Sequence, residues 1–212
     1  HWMVHSFPTR RSSDLTTDLM LCTLSSPVPS SSGIQPFRVL NLPGESDYAG
    51  KVLTVGGSFV RFGKMPVHGF KTLANDPGFD TTRFIHFDFL RGNGAADECN
   101  YQGGDSGSPS FIMTNGEPAL VGTASGQDKI NAQGVIDHQN ADGRFRNYIA
   151  FIPAYLNELD ALMESHGYHV NRVNPGATST SSAISPVGTL RRMKAGSVAI
   201  HVTNTGAAPS HN

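Results

Sequence analysis

Stretches of β-strand character, one of them strongly alternating between apolar and polar positions, recur between residues 51 and 125. Thr82-Arg-Phe-Ile-His-Phe-Asp-Phe-Leu90 is the strongest case and reads as a half-buried strand. Lys51-Val-Leu-Thr-Val55 and Ser58-Phe-Val-Arg-Phe62 show strand character on either side of Gly56-Gly57. Residues Pro109–Thr114 and Ala119–Ala124 form two further apolar runs, and Asn115-Gly116-Glu117 between them predicts a tight hairpin turn. The stretch from Pro27 to Gly44 is crowded with turn formers and reads as a crossover, while Gly92-Asn-Gly-Ala-Ala96 reads as a loop.

The period changes only once. Over Asn147–His166, apolar residues at Ile149, Ile152, Tyr155, Leu156, Leu159, Leu162 and Met163 recur every three or four positions, predicting one helix with one packed face. Pro153 either sets the first helical turn or kinks its start, and Gly167 predicts the stop. Glu158, Asp160 and Glu164 lie on its polar face without a basic residue, which argues against a membrane-surface helix. Beyond it, residues 169–187 are expected to be a Ser/Thr/Pro-rich linker. Residues 188–212 read as the truncated start of a β-sandwich module, too short for a fold of about seven strands.

Composition narrows the class. In 212 residues there are 23 Gly and 13 Pro with 38% hydrophobic residues, as suits an all-β, loop-rich protein. A formal net charge of −1 gives no electrostatic footprint for nucleic acid or an anionic membrane. No apolar stretch reaches the roughly 20 residues needed to span a bilayer. Cys22 and Cys99 are the only cysteines and are expected to be free, buried thiols.

Chemistry concentrates at Gly104-Asp105-Ser106-Gly107-Ser108-Pro109. A serine hydroxyl attacks only when a base takes its proton and preset donors stabilise the developing negative charge. Glycines at 103, 104 and 107 allow a sharp turn and close approach of a carbonyl, so the Gly104 and Ser106 amides could converge as an oxyanion hole. Asp105 could orient that loop by taking an internal partner. The alternative is a plain Gly/Ser/Asp turn between two strands. The G-x-S-x-G elbow of α/β-hydrolases does not fit, because position 108 is Ser.

This loop resembles the nucleophile loop of trypsin/chymotrypsin-like serine proteases, and its flanks extend the resemblance. Strand, tight turn and strand ending in Gly-Thr-Ala-Ser-Gly126 look like the segment that follows the nucleophile in that family. Thr17-Asp18-Leu19-Met20-Leu21-Cys22-Thr23-Leu24 looks like the family's segment around the buried aspartate, although Asp18 could also simply cap an apolar strand. The resemblance implies an all-β, trypsin-like fold over residues 16–168, with the second β-barrel of about six strands largely complete, most of the first missing, and one C-terminal α-helix. It further implies a secreted serine endopeptidase cleaving peptide or protein substrates through an acyl-enzyme on Ser106, with no metal or cofactor. Asp18 would orient a catalytic imidazole. Ser125, Gly126 and Gln127 would pair with an extended substrate backbone, and Asn100 would form the base of the specificity pocket, arguing against a demand for Arg or Lys. Gly126 stands where many relatives carry an aromatic, which would leave the pocket wall open.

The imidazole has no evident source. In this family it precedes the aspartate by several tens of residues, yet only His1 and His5 precede Asp18. Most of the later histidines (His68, His86, His138, His166, His169, His201 and His211) read as surface or half-buried polar residues. His68 would suit an Asp-His-Ser order like that of subtilisins, but its surroundings lack that family's pattern. His5-Ser-Phe-Pro-Thr-Arg-Arg-Ser-Ser-Asp-Leu15 resembles translated sequencing adapter, so residues 1–15 are expected to be a foreign leader replacing the barrel that carried the histidine. The competing expectation is a non-catalytic trypsin-like module used for binding or adhesion in a secreted surface protein.

Overall fold

In a computed structural model, residues 2–5, 18–24, 26, 28–57, 61–73, 82–92, 98–164 and 167–175 are described. The strands are β1 (Trp2–His5), β2 (Met20–Thr23), β3 (Arg38–Leu40), β4 (Val52–Gly57), β5 (Arg61–Pro66), β6 (Gly69–Thr72), β7 (Arg83–Leu90), β8 (Pro109–Thr114), β9 (Glu117–Lys129), β10 (Arg144–Phe151) and β11 (Arg172–Val173). One α-helix, α1 (Leu156–Glu164), follows a 3-10 turn at Ile152–Tyr155.

Nine strands form one sheet, with the path β5-β4-β8-β9-β10-β7-β6 and with β3 and β11 attached beside β9. Neighbours along the path are antiparallel, whereas β3 runs parallel to both β9 and β11. The two ends of the path, β5 and β6, are consecutive in the chain. Between them Val67 N–H donates to Lys51 O at 2.8 Å and His68 N–H donates to His86 O at 2.9 Å. One corner thus bonds to both ends, and the sheet curls back towards itself. The all-β architecture with a curled antiparallel sheet matches the expectation.

Apolar side chains fill both sides of the sheet. Inside the curl, Leu53, Val55, Met65, Ile85, Phe87, Val121, Ile149 and Phe151 pack with Tyr48. On a second surface α1 packs Leu156, Leu159 and Met163 against Phe111, Leu120 and Val39. A third, smaller cluster of Phe84, Tyr148 and Ala150 lies against Leu19 and Leu73. For this reason β7 is buried continuously from Phe84 to Phe87 and is not half-buried as its alternation suggests.

The same double burial corrects the helix boundary. Residues 147–151 were expected to be helical, yet they belong to β10. A strand covered on both faces loses its alternation, and Ile149 with Ile152 then mimics helical spacing. Pro153 sits in the first turn and starts the helical segment. Gly167 ends it as expected: at φ +76° its N–H donates to Glu164 O at 2.9 Å, and Tyr168 N–H donates to Met163 O at 3.1 Å.

Three further expectations change. The crossover from Pro27 to Gly44 contains β3, whose Val39 and Leu40 are buried. The linker does not begin at residue 169, because Val170 N–H donates to Asp160 Oδ1 at 2.6 Å, Arg172 pairs with the same carboxylate, and β11 joins β3. Cys22 and Cys99 are thiols, but half-buried and not buried. The strand expected at 58–62 is observed as β5 from Arg61, and residues 58–60 lie outside the described residues. Residues 2–5 of the expected leader pair with β2, while residues 6–15, the rest of the linker from 176 and the module at 188–212 also lie outside them.

Two glycines of β9 separate close packing from open space. A Cβ on Gly122 would stand 2.2 Å from Ala150 O and 2.6 Å from Ile149 Cγ2, whereas one on Gly126 would meet nothing within 4 Å. Gly122→Ala is expected to cost at least about 2 kcal/mol of stability, and Gly126→Ala less than about 0.5 kcal/mol. Urea denaturation of both variants checks this; equal midpoints would contradict the close approach of β9 and β10.

Candidate functional site

The loop before β8 is shaped by one buried carboxylate. Asp105 is 2% exposed, its Oδ2 accepts the Gln102 N–H at 2.8 Å, and its own N–H donates to Gln102 O at 3.0 Å. Its Oδ1 lies 3.1 Å from where a Cβ of Gly57 would be. A side chain at 57 would push this carboxylate out. Gly56 plays a similar part, since its Cβ would stand 2.9 Å from Pro109 O. Gly56-Gly57 is therefore the part of β4 against which the Ser106 loop and β8 are seated.

The amides of this loop divide into two sets. Those of Asp105, Gly107 and Ser108 donate inward, to Gln102 O, to Ala124 O at 2.8 Å and to Asp105 O at 2.9 Å. Those of Gly104 and Ser106 donate to no acceptor among the described residues, and both residues are exposed. Gly104 (φ +98°) and Gly107 (φ +80°) occupy left-handed backbone that favours glycine, so the alternation of inward and outward amides depends on them.

A cavity of about 180 Å³ lies beside Ser106, bounded by residues 101–103, 105 and 106 on one side and 124–127 on the other. Of the sequence-predicted positions, Asp105, Ser106, Ser125, Gly126 and Gln127 line it. Asn100 does not. The next residue, Tyr101, takes that place: it is 5% exposed, its N–H donates to Asn147 Oδ1 at 3.0 Å, and its hydroxyl lies 3.2 Å from Ser110 Oγ. Burial pushes the Tyr101 phenol well above its ordinary pKa, so it stays protonated. Asn147, fully buried, was read in the sequence only as the start of a helix; its place opposite Phe87 and Gln127 in β10 turns it under the cavity floor.

Asp18 reaches the same site through Ser125. Between Tyr148 and Ile149 the pairing of β10 with β9 shifts, so Tyr148 opposes Gly126, Ile149 opposes Ala124, and Ser125 is the extra residue of a bulge. Its Oγ donates to Asp18 Oδ2, while the Asp18 N–H donates to Thr82 Oγ1 at 2.6 Å. Asp18 is 7% exposed and Thr82 is fully buried. A carboxylate so enclosed keeps its charge only with donors in place. Thr82 gives no signal in the sequence, because its value lies in a contact made 64 positions away.

Among the described residues no histidine lines the cavity. His86 is an exception among the later histidines, most of which were expected at the surface or half-buried: it is 6% exposed within β7. It opposes Tyr148, which opposes Gly126, so two strand spacings of about 5 Å each separate it from the cavity wall. Its ring stacks on exposed His68 at 5.6 Å, and the two Nδ1 atoms lie 3.5 and 3.4 Å from the carboxylate of Asp88. Arg146 holds that carboxylate with two hydrogen bonds of 2.7 Å. Burial raises the Asp88 pKa, yet the Arg146 bonds and the neighbouring imidazoles outweigh it and hold the group far below the usual range. For His86 burial prevails over the attraction of Asp88, and the charges of Arg146 and His68 add to it, so its pKa is lowered.

No protein-family model matches the chain, and no curated protein is significantly similar to it.

The His86–Asp88 pair predicts acid sensitivity. Both groups titrate lower in the fold than in the unfolded chain, so each contributes stability that is complete above its unfolded value and is lost as pH falls through its folded one. Loss is expected to begin below pH 6.5 through His86 and to resume below 3.8 through Asp88. His86→Gln should flatten the upper limb and leave the lower one. Denaturation midpoints measured from pH 8 to pH 3 check this, and parallel curves for the two proteins would contradict it.

Proposed function

We propose that this chain carries the nucleophile half of a serine-type endopeptidase. The observation that supports this most is the division of the loop amides. The Gly104 and Ser106 amides have no acceptor among the described residues and belong to exposed residues, while the amides of Asp105, Gly107 and Ser108 are bonded within, which leaves two donors for a developing oxyanion. Ser106 Oγ attacks the scissile carbonyl as its proton passes to a base, the two amides hold the resulting oxyanion, the C–N bond breaks and the amine leaves with that proton, and water then hydrolyses the acyl ester to release the acid and regenerate Ser106. Ser125, Gly126 and Gln127 offer the edge of β9 beyond its last β8 pair, Pro109 with Thr123, to an extended substrate backbone. Asp18, one hydrogen bond behind Ser125, orients an imidazole that takes the Ser106 proton. The cavity lining does not supply that imidazole, so this chain by itself is expected to turn over weakly, and secretion is part of the same reading.

One observation favours a second reading. A cavity with an exposed serine but no base in its lining suits a non-catalytic module that binds extended peptides. Acylation separates the two. With an activated peptide ester, slow acyl transfer to Ser106 is expected, detected by mass spectrometry and abolished in Ser106→Ala. Orienting donors alone leave a residual rate about 10³-fold above water in related chemistry. Equal rates for the two proteins, with peptide binding retained, would favour the binding module and end the protease reading.

A further inference from the structure

We infer that the corner at Val67 and His68 is an acid-released latch: charge on the stacked imidazoles of His68 and His86 frees the corner from β7 while the remaining sheet stays paired. This holds whatever chemistry Ser106 performs. The corner is where the two ends of the sheet path meet, and three backbone bonds hold it. Gly50 N–H donates to Val67 O at 3.1 Å, Val67 N–H to Lys51 O at 2.8 Å and His68 N–H to His86 O at 2.9 Å. Beyond it β6 is only four residues long and, among the described residues, is paired with β7 alone.

This corner covers the His86 ring. His68, itself exposed, stacks on it, and a Cβ on Gly69, the residue opposite His86 in β6, would stand 3.2 Å from its Nε2. The His86 Nδ1 is buried and makes no hydrogen bond. It lies 3.5 Å from Asp88 Oδ1, and His68 Nδ1 lies 3.4 Å from Oδ2, both too far for a good bond. Arg146 already holds that carboxylate through two hydrogen bonds. The other groups around His86 supply no nearer anion. Tyr148, opposite it in β10, is a phenol that burial keeps protonated, and Lys71 stands two positions beyond Gly69 in β6. Asp128 is one strand further off, opposite Arg146.

Acid therefore adds charge where one carboxylate is already shared. With both rings protonated, two imidazolium groups and a guanidinium surround Asp88, and the rings repel across 5.6 Å. Burial is the first cause that lowers the His86 pKa, and the charges of Arg146 and His68 act in the same sense. An open corner takes the His68 ring and Gly69 away from His86 and lets its imidazolium reach water. The open form thus binds the proton more tightly, and falling pH favours it. Release is confined to residues 67–69, because the Phe70 ring anchors β6 against Tyr48 and Phe151 at 6.1 and 5.0 Å.

Native-state hydrogen exchange of the full chain tests this, each amide rate being divided by its intrinsic rate at the same pH. Between about pH 7.5 and about pH 4.5, protection of the Val67 and His68 amides should fall at least about tenfold more than that of amides in β9 and β10. Global unfolding driven by the same groups would instead lower all of them together. His68→Phe keeps a ring on His86 at an exposed position but carries no charge, so the selective fall should be at least about threefold smaller. A uniform fall across the sheet, no fall at the corner, or a selective fall undiminished in His68→Phe would overturn the proposal.

Discussion

The placement of the Asp105 carboxylate against β4 is the constraint on which the site depends. An ionisable group at 2% exposure needs donors, and the chain supplies one by folding Gln102 back over it. That fold sets the direction of every amide that follows. The glycines at 104 and 107 allow the reversals, and Gly57 leaves the room. Three glycines that stand apart in the sequence are thus parts of one arrangement.

A second arrangement, at the bulge in β9, joins the start of the described chain to the cavity. Without the extra residue at 125, the alternation of β9 would continue and Ser125 would face away from Asp18. The bulge therefore brings two segments 107 positions apart into one part-buried hydrogen bond. Beyond it β9 is paired on one side only, with β10. The lining of the cavity and the positioning of Asp18 share this local irregularity.

Much of the sheet is legible in the sequence because its signals are local. The Asn115-Gly116 turn has both residues at positive φ, and its flanking strands fall where their apolar runs do. The Ser106 loop is legible for the same reason. Reading fails where the cause is distant. Residues 147–151 show no alternation because both faces of β10 are covered, and so they pass for helix. Asn100 and Tyr101 are adjacent, and only the bond from Tyr101 to Asn147 decides which one faces the cavity. The roles of Gly56, Gly57 and Gly122 lie in what they approach, which no window of sequence contains.

Pairing of β4 with β8 unites chain segments that are remote from one another, and contacts of that kind form late because loop closure must precede them. The seat for Asp105 exists only once that pairing is made. A nascent or partly unfolded molecule accordingly possesses the serine but no ordered pair of donors around it. Order in the Ser106 loop is in that sense a property of completed folding, set by a pairing that no local segment can make alone.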